Sequence, residues 1–283
     1  MTTKQLLEQI EAGEGLKALA ESYTEIASIK LKQIRDDVER NTAFFEELTG
    51  IYSVVKQIAA QNNLRVNFKT KDTISLILTS NYRFYGNINT RLSDAFYKQI
   101  QSYPTDLLVV GNTGQHLLKA MPKTAHATFI NLKKDTPNEA ELQTLARYIQ
   151  PYNRILVYYS QFKSVVVQLP TVKDITQTNV PVGAKAAGLS DNLGFILEPE
   201  IAEMLIFFDS QITALLLQEV FLESELSRTA SRLIAMDQAQ SNADEYITGH
   251  KKNLSSTKKS VMNMKILETI TAFANINREG KSN

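Results

Sequence analysis

The sequence predicts an α/β head domain with a largely parallel sheet, plus a long antiparallel two-helix coiled coil formed by the N- and C-terminal helices. Residues 1–61 and the residues after Pro199 lack proline and repeat apolar residues alternately three and four apart, whereas the centre changes to short β-prone runs. We therefore divide the chain into an N-terminal coiled-coil helix at residues 1–61, an α/β (Rossmann-like) domain at 62–197 and a C-terminal coiled-coil helix at 198–283.

The N-terminal segment has the composition of one long helix. Its glycines are confined to Gly13, Gly15 and Gly50. A mostly apolar seam recurs with alternating spacings of four and three, which keeps one face towards a partner helix. The seam consists of Ala27, Leu31, Ile34, Val38, Asn41, Phe45, Leu48, Tyr52 and Val55.

The C-terminal segment shows the same repeat over a longer distance. Its seam consists of Leu222, Leu226, Thr229, Leu233, Met236, Gln240, Ala243, Ile247, His250, Leu254, Thr257, Val261 and Met264. A helix over residues 222–264 would be on the order of 60 Å long. Polar and small seam residues predict a slim, weak dimerisation surface. Two amphipathic helices of an ordinary bundle would give a similar spacing, and that alternative stays open here.

The central segment alternates between strand-like and helix-like sequence. Strands are predicted at residues 73–78, 107–110 and 154–159, and helices at 91–101 and 139–149. A further apolar run occupies residues 165–167, and residues 176–192 have the polar, glycine-containing composition of a loop. This alternation is typical of a largely parallel sheet.

The sequence contains no recognisable catalytic, cofactor or metal motif. It has no cysteine, and His116, His126 and His250 lack the spacing of a zinc site. The segment 111–114 (GNTG) follows a strand and precedes a helix, but it lacks the third glycine of a dinucleotide fingerprint. We predict a plain strand-to-helix turn there, and a non-catalytic protein that binds no cofactor or metal.

Charge and apolar run length limit the classes of partner. With 31 basic and 30 acidic residues, the formal net charge of +1 gives no argument for nucleic acid. The longest apolar runs, at residues 74–78 and 212–217, are far shorter than the ~20 residues of a membrane-spanning helix. The first 15 residues resemble no signal or transit peptide. A bacterial cytoplasmic origin without a membrane span is the simplest interpretation.

Several local stretches resemble one known family in the correct order along nearly the whole chain. Residues 232–243 (RLIAMDQAQSNA) resemble the R-M-x-A-M-x-x-A-x-x-N-A signature of the gamma subunit of F-type ATP synthases, and residues 26–30 (IASIK) resemble its V-A-A-A-K segment. Residues 110–114 (VGNTG) resemble its G-x-K-G turn. Residues 159–172 match its Y-N-x-F-x-S…P-T-V stretch, and Glu198-Pro199 match the E-P before the last helix.

The chain departs from the family pattern in three places. The family sequence D-R-G-L-C-G-G is replaced by residues 81–87 (NYRFYGN). K-A-M-x-M becomes ESYTE at residues 21–25, and I-T-x-E-L becomes MNMKI at residues 262–266. The latter two regions are where family members contact the catalytic ring.

The resemblance implies a central rotor stalk that couples ion flow through a membrane c-ring to ATP synthesis or hydrolysis. Its implied partners are the hexameric ring of alpha and beta subunits, the epsilon subunit and the c-ring. The implied location is peripheral, on the cytoplasmic side of the bacterial inner membrane. On this basis we expect partner contacts at Lys30, Arg232, Met236, Asn242, Met262 and Lys265.

Three other functions remain open at this stage. One is a nucleotide-binding enzyme, in which case the purified chain would bind a dinucleotide saturably. The rewritten motifs fit a gamma paralogue that serves a specialised F1-like ATPase. The two-helix pattern also fits a free-standing coiled-coil scaffold with an α/β head, which would self-associate and ignore alpha and beta subunits.

Overall fold

Two long helices and five strands dominate the computed structural model, which describes residues 2–61, 70–176 and 199–279. Helix α1 spans Thr3–Gln61 and helix α5 spans Ile201–Glu279. The shorter helices are α2 at Ile88–Ile100, α3 at Asn112–Leu118 and α4 at Glu139–Ile149, with a 3-10 turn at Pro122–Thr124. The predicted long helices at both ends are therefore confirmed.

The strands form one mixed sheet. They are β1 at Lys71–Leu78, β2 at Asp106–Val110, β3 at Thr128–Ile130, β4 at Tyr152–Phe162 and β5 at Gln168–Asp174. The order across the sheet is β3-β2-β1-β4-β5, and only β5 runs antiparallel to its neighbour. The predicted largely parallel sheet is confirmed. The sequence prediction did not include strands β3 and β5.

Alternate residues of the strands supply two separate cores, as the two-residue period of a strand requires. Leu76 and Val157 share one core with Leu145 of α4 and with Leu217 and Phe221 of α5. On the other face, Ile77, Val109 and Tyr158 pack with residues of α2 such as Phe96. Both faces of the sheet are therefore covered, which explains the nearly continuous apolar runs of its central strands.

The chain divides into two compact units that share the two long helices. One unit comprises Met1–Ile26 with Ala235–Asn283, and the other comprises Ala27–Ile234, including the sheet. Within the larger unit, Leu31 and Ile34 of α1 pack with Leu226 and Ala230 of α5. A second apolar contact joins Tyr52, Val55 and Ala59 to Leu205, Phe208 and Ile212. Residue numbers increase along α1 while those of the contacting residues on α5 decrease, so the two helices pair antiparallel.

The predicted seams are mostly buried. Ala27, Ile34, Asn41, Tyr52 and Val55 are all at most 8% exposed. On α5, the seam positions Leu222, Leu226, Thr229, Met236 and Ile247 are buried as well. The prediction is wrong at the far end of α5, where Val261 is 42% and Met264 is 55% exposed, because no described residue covers them.

Helix α5 contains a segment that is long and apolar enough, by length and composition alone, to cross a membrane. This finding leaves the expectation of no membrane span as a prediction, because a buried core helix meets the same criteria. In the larger unit, apolar residues of α5 contact the sheet through Leu217, Val220 and Phe221, and contact α1 through Phe208 and Ile212. Burial in the protein core accounts for their apolar character.

Two sequence predictions fall partly outside the described residues. The predicted loop at 176–192 is described only at Thr176, and Glu198 of the E-P pair is also outside. The apolar run at residues 165–167 lies in the tight turn between β4 and β5, where Val166 is 73% exposed.

Candidate functional site

One of the three segments that depart from the family pattern is the loop after β1, at residues 81–87. Its residues Tyr82 and Phe84 carry aromatic rings that are 52% and 53% exposed. Phe84 has a φ of 67°, and Gly86 has a φ of 59°. Positive φ is unfavourable for a bulky residue, so neighbouring contacts must hold the loop in this conformation.

A buried carboxylate, Asp135, provides part of this support. Asp135 is 3% exposed, and its Oδ1 accepts hydrogen bonds from the backbone N–H of Asn81 at 2.5 Å and of Tyr82 at 3.4 Å. The hydroxyl of Tyr85 donates to the other oxygen of Asp135. Burial, reinforced by the nearby Asp135 carboxylate, raises the pKa of Tyr85, so its hydroxyl stays protonated and remains a donor.

The amide of Asn81 adds a second link between the same two segments. Its Nδ2 donates to the carbonyl of Leu132 at 3.0 Å and to that of Lys134 at 2.8 Å. Loop residues 81–85 are thus joined through both main chain and side chain to residues 132–135.

Helix α5 holds the same loop from the other side. Ser231 Oγ donates to the carbonyl of Tyr85 at 2.8 Å, and Arg232 Nη2 donates to the carbonyl of Arg83 at 3.1 Å. The guanidinium of Arg232 lies 3.9 Å from the centroid of the Tyr85 ring, which is a cation–π geometry. Arg232, the first residue of the stretch that resembles the family signature, therefore binds the loop.

Arg228 connects α5 to the segment that carries the buried carboxylate. Its side chain, with 1% exposure, is the largest fully buried one among the residues that the structure describes. Its guanidinium donates to the main-chain carbonyl of Asp135 at 3.2 Å and to Ser224 Oγ at 3.0 Å. A buried guanidinium needs such acceptors, because an unpaired buried charge is strongly destabilising.

Polar contacts also join α5 to the sheet and to α1. Lys173 of β5 pairs with Glu219 at 2.7 Å, and the hydroxyl of Tyr159 on β4 donates to Glu223 at 2.8 Å. The ammonium of Lys30 on α1 lies 2.9 Å from Glu225, which is 5% exposed.

Further along the same helix pair, Tyr52 of α1 donates its hydroxyl to Asp209 of α5. Burial, followed by the hydrogen bond to Asp209, raises the pKa of Tyr52. The two helices are therefore fixed by hydrogen bonds in addition to their apolar contacts.

The smaller unit has its own set of contacts between the helices. Lys17 pairs with Asp244 at 2.7 Å, and Glu14 pairs with Lys251 at 2.8 Å. Gln240 Nε2 donates to Thr24 Oγ1 at 2.9 Å. The hydrogen bond from Lys17 to Asp244 raises the pKa of the lysine. These exposed pairs set the antiparallel register more than they add stability.

The predicted contact residues fall into two groups. Arg232 and Met236 are buried, at 7% and 8% exposure, and Lys30 is engaged with Glu225. Asn242, Met262 and Lys265 are exposed. Among the described residues, Asn242 accepts a hydrogen bond only from Gln238 of its own helix, at 2.9 Å. The three exposed residues are accessible to a partner. The contact role of all six residues stays a prediction.

The glycine turn after β2 has a packing explanation. Gly111 has a φ of 102°, and a Cβ there would lie 2.5 Å from the carbonyl oxygen of Thr79. A Cβ on Gly114 would lie 2.6 Å from Thr79 Oγ1, which accepts the N–H of Gly114 and donates to the carbonyl of Val110. Both glycines therefore admit Thr79 at close range, and the turn leads directly from β2 into α3.

No group of three or more histidine or acidic residues that could hold a metal ion occurs within residues 2–61, 70–176 and 199–279. Sequence reasoning missed Asp135, Tyr85 and Ser231, whose contacts form between distant parts of the chain. The loss of glycines at residues 81–87 was the signal near Tyr85, and the resemblance that begins at Arg232 was the signal next to Ser231.

Comparisons with known proteins agree over almost the full length. The profile of the ATP synthase family matches residues 2–276. The ATP synthase gamma chain of Cytophaga hutchinsonii is 21% identical over 287 residues, covering 94% of this chain and 96% of the relative. The gamma chain of Hyphomonas neptunium is 22% identical over 289 residues, covering 95% and 97%.

Solved structures show the same fold. The central stalk and c-ring structure of Tetrahymena thermophila mitochondrial ATP synthase has a matching chain with a TM-score of 0.59 and 17% identity, covering 78% of this chain and 99% of that one. A rotor chain of Euglena gracilis mitochondrial ATP synthase gives a TM-score of 0.58 at 15% identity, covering 92% and 98%.

Proposed function

We propose a shaft mechanism for this chain, which belongs to the ATP synthase gamma chain family. It is a central-stalk subunit of the rotor and a non-catalytic subunit of an F-type ATP synthase. The mechanism must therefore be one of contact and movement, with the bond-making chemistry carried out by other subunits.

The observation that carries the proposal is the exposed apolar end of α5. All of residues 261–272 are exposed, and among them Met262 is 65%, Leu267 is 63% and Ile270 is 58% exposed. Several large apolar side chains exposed within one helix segment favour a binding site there. A ring of alpha and beta subunits that encloses the helix would remove this surface from water.

Coupling would follow from differential contact. Two helices packed on a slim seam have no rotational symmetry, so each orientation offers a different surface to each beta subunit. A ring subunit then favours the open or closed state that best fits the surface it faces, and nucleotide affinity changes with the angle of the shaft. Within this scheme Asn242, Met262 and Lys265 are the exposed residues that meet the ring.

The remaining partners follow from the same assignment. The sheet-containing unit would contact the epsilon subunit and the c-ring, which keeps the chain peripheral to the membrane on the cytoplasmic side of a bacterial inner membrane. The ion that drives rotation would pass through the c-ring and not through this chain.

The direct test is co-expression of this chain with the alpha and beta subunits of its own organism, followed by sizing and an ATPase assay. We expect a stable complex whose ATPase activity depends on this chain. A monodisperse chain that ignores both subunits would contradict the proposal and favour the scaffold interpretation.

The divergent loop gives a specific reason to test one variant of this function. Phe84 has a positive φ within residues 81–87, where NYRFYGN replaces the family sequence D-R-G-L-C-G-G and two of its three glycines are lost. A paralogue in a dedicated F1-like ATPase would hydrolyse ATP in the complex but give no ATP synthesis after reconstitution with its membrane sector. Synthesis under an imposed ion gradient would exclude this variant.

A further inference from the structure

Six polar residues of α5 bind three different parts of the larger unit, and they are the basis of this inference. They are named here the polar collar: Glu219, Glu223, Glu225, Arg228, Ser231 and Arg232. Glu219 and Glu223 bind the strands β5 and β4, whereas Glu225 binds α1. Arg228, Ser231 and Arg232 bind main-chain carbonyls of Asp135, Tyr85 and Arg83.

The positions of these residues around the helix are informative. At 100° per residue, the collar covers roughly 240° of the circumference of α5 within less than four turns. Going around the helix axis from Glu219, the two contacts with the strands come first. The contacts with the main-chain carbonyls come next, and the contact of Glu225 with α1 is the last. A rotation of α5 about its own axis in either direction would therefore stretch some of these bonds.

Hydrogen bonds and ion pairs add a directional constraint to the apolar packing of α5. The hydrophobic effect is non-directional, whereas hydrogen bonds weaken steeply when their angles change. The collar also includes two almost fully buried charged residues, Glu225 and Arg228, for which losing a partner is more damaging than losing a surface ion pair.

We propose that the polar collar locks the rotational position of α5 against the rest of the larger unit, so that torque passes between α5 and that unit without slippage. This inference rests on the proposed shaft function, because a shaft that turns within its own head would lose work. The collar residues are positioning residues, since none of them needs to touch another subunit in order to act.

The test uses the complete ATP synthase reconstituted in proteoliposomes, with ATPase rate and ATP-driven proton pumping measured on the same sample. The collar variant carries Tyr159→Phe, Lys173→Met and Ser231→Ala, which remove three donors and leave the buried arginines in place. The matched control is Gln238→Ala, because Gln238 hydrogen-bonds only Asn242 of the same helix within the part of the chain that the structure describes.

We expect the collar variant to assemble and hydrolyse ATP while protons pumped per ATP fall by roughly threefold or more, since several directional contacts are lost together. The control should pump normally. Unchanged pumping per ATP in the collar variant would overturn the proposal, even if the melting temperature falls. If the wild-type chain confers no ATPase activity on alpha and beta subunits, the proposed function itself has failed.

A charge exchange decides the question even if the collar variant does not assemble. Lys173 and Glu219 have side chains that are 32% and 36% exposed, so their charges can be exchanged with little burial penalty. Lys173→Glu alone should lower pumping per ATP, and the double variant Lys173→Glu with Glu219→Lys should restore it. A loss that the second substitution does not restore would contradict a positioning role for this pair.

Discussion

Gly13 of α1 and Ile247 of α5 approach so closely that a Cβ on Gly13 would lie 2.9 Å from Ile247 Cγ1 and 3.2 Å from Tyr246 Cδ1. Gly13 is buried in a helix interior, where glycine is normally unfavourable. Its presence is therefore explained by the narrow distance between the helices in the smaller unit.

Replacement of Gly13 should separate these helices. An alanine in a helix interior normally gains about 0.5–1 kcal/mol over glycine, but overpacking at Gly13 should cancel or reverse that gain. Gly15 is the matched control, because nothing lies within 4 Å of its missing Cβ. Thermal unfolding should show Gly15→Ala to be more stable than Gly13→Ala by about 1 kcal/mol. Equal stability of the two variants would contradict this account.

The stability of the chain should depend on which side chain occupies position 84 in the loop after β1. Phe84 has a φ of 67°, a conformation that is worst for β-branched side chains. We expect Phe84→Val to lower the free energy of unfolding by about 1–2 kcal/mol. Tyr82 is similarly exposed and does not have a positive φ, so Tyr82→Val should change the free energy of unfolding by no more than about 0.5 kcal/mol. A chemical denaturation series on both variants tests this, and a harmless Phe84→Val would count against loop strain.

Lys30 should matter for stability before any partner binds. Its ammonium neutralises Glu225, whose side chain is only 7% exposed, while Lys30 itself is 42% exposed. Lys30→Met should therefore lower the free energy of unfolding by about 1–2 kcal/mol. The loss should be smaller than for breaking a fully buried ion pair, because solvent screens the lysine. The exposed Lys32→Met is the control. Adding Glu225→Gln to Lys30→Met should recover part of the loss, and a failure to recover would mean that the pairing is not the cause.

The start of α4 should give the chain an acid-sensitive contribution to stability. The carboxylate of Glu141 accepts the N–H of Asn138 at 2.9 Å and of Lys133 at 3.1 Å, and the bond to Asn138 is the main reason that its pKa is lowered from 4.5. A lowered folded pKa stabilises the fold above the unfolded pKa, and this contribution is lost as pH falls through the folded value.

Denaturation of wild type and Glu141→Gln across pH 3 to 7 should therefore show a difference in the free energy of unfolding that is constant near neutral pH. This difference should shrink below about pH 4.5. The pH-independent control is Asn138→Ser, which keeps a capping oxygen and the titrating carboxylate. A difference between wild type and Glu141→Gln that grows towards acid pH would have the wrong sign.

Shortening α5 should affect coupling more than assembly. A chain that ends at Met262 loses exposed apolar residues such as Leu267 and Ile270, yet keeps every contact between the helices described above. We expect its complex to form and hydrolyse ATP while ATP-driven proton pumping decreases. A chain that ends at Glu279 is the control. Unchanged pumping by the shorter chain would show that the exposed end of α5 is not needed for coupling.

The parts of the fold that the sequence predicted are those with a local period. The seam from Ala27 to Val55 repeats every three or four residues, and the helix at Glu139–Ile149 carries its own capping box at Asn138 and Glu141. Strand β3 escaped prediction because only three residues form it, and β5 because Pro170 interrupts its pattern. Neither strand could be recognised before its neighbour in the sheet was known.

The contacts around the loop could not have been predicted from one sequence. Tyr85 and Asp135 lie 50 residues apart, and Arg232 lies 149 residues from Arg83, so no spacing rule connects them. Their partners are often main-chain carbonyls, which every residue possesses. The resemblance at residues 232–243 marked Arg232 as important, but gave no sign that its acceptor would be inside the same chain.

The antiparallel pairing of α1 with α5 has a consequence for synthesis on the ribosome. Tyr52 and Val55 of α1 are buried against residues that follow Ile201, so no partner exists for them until about 140 further residues have been added. At ordinary translation rates that delay is roughly 7 to 30 seconds. Throughout it the apolar seam of α1 faces water or a chaperone, and the nascent chain is most open to misassembly before its last helix emerges.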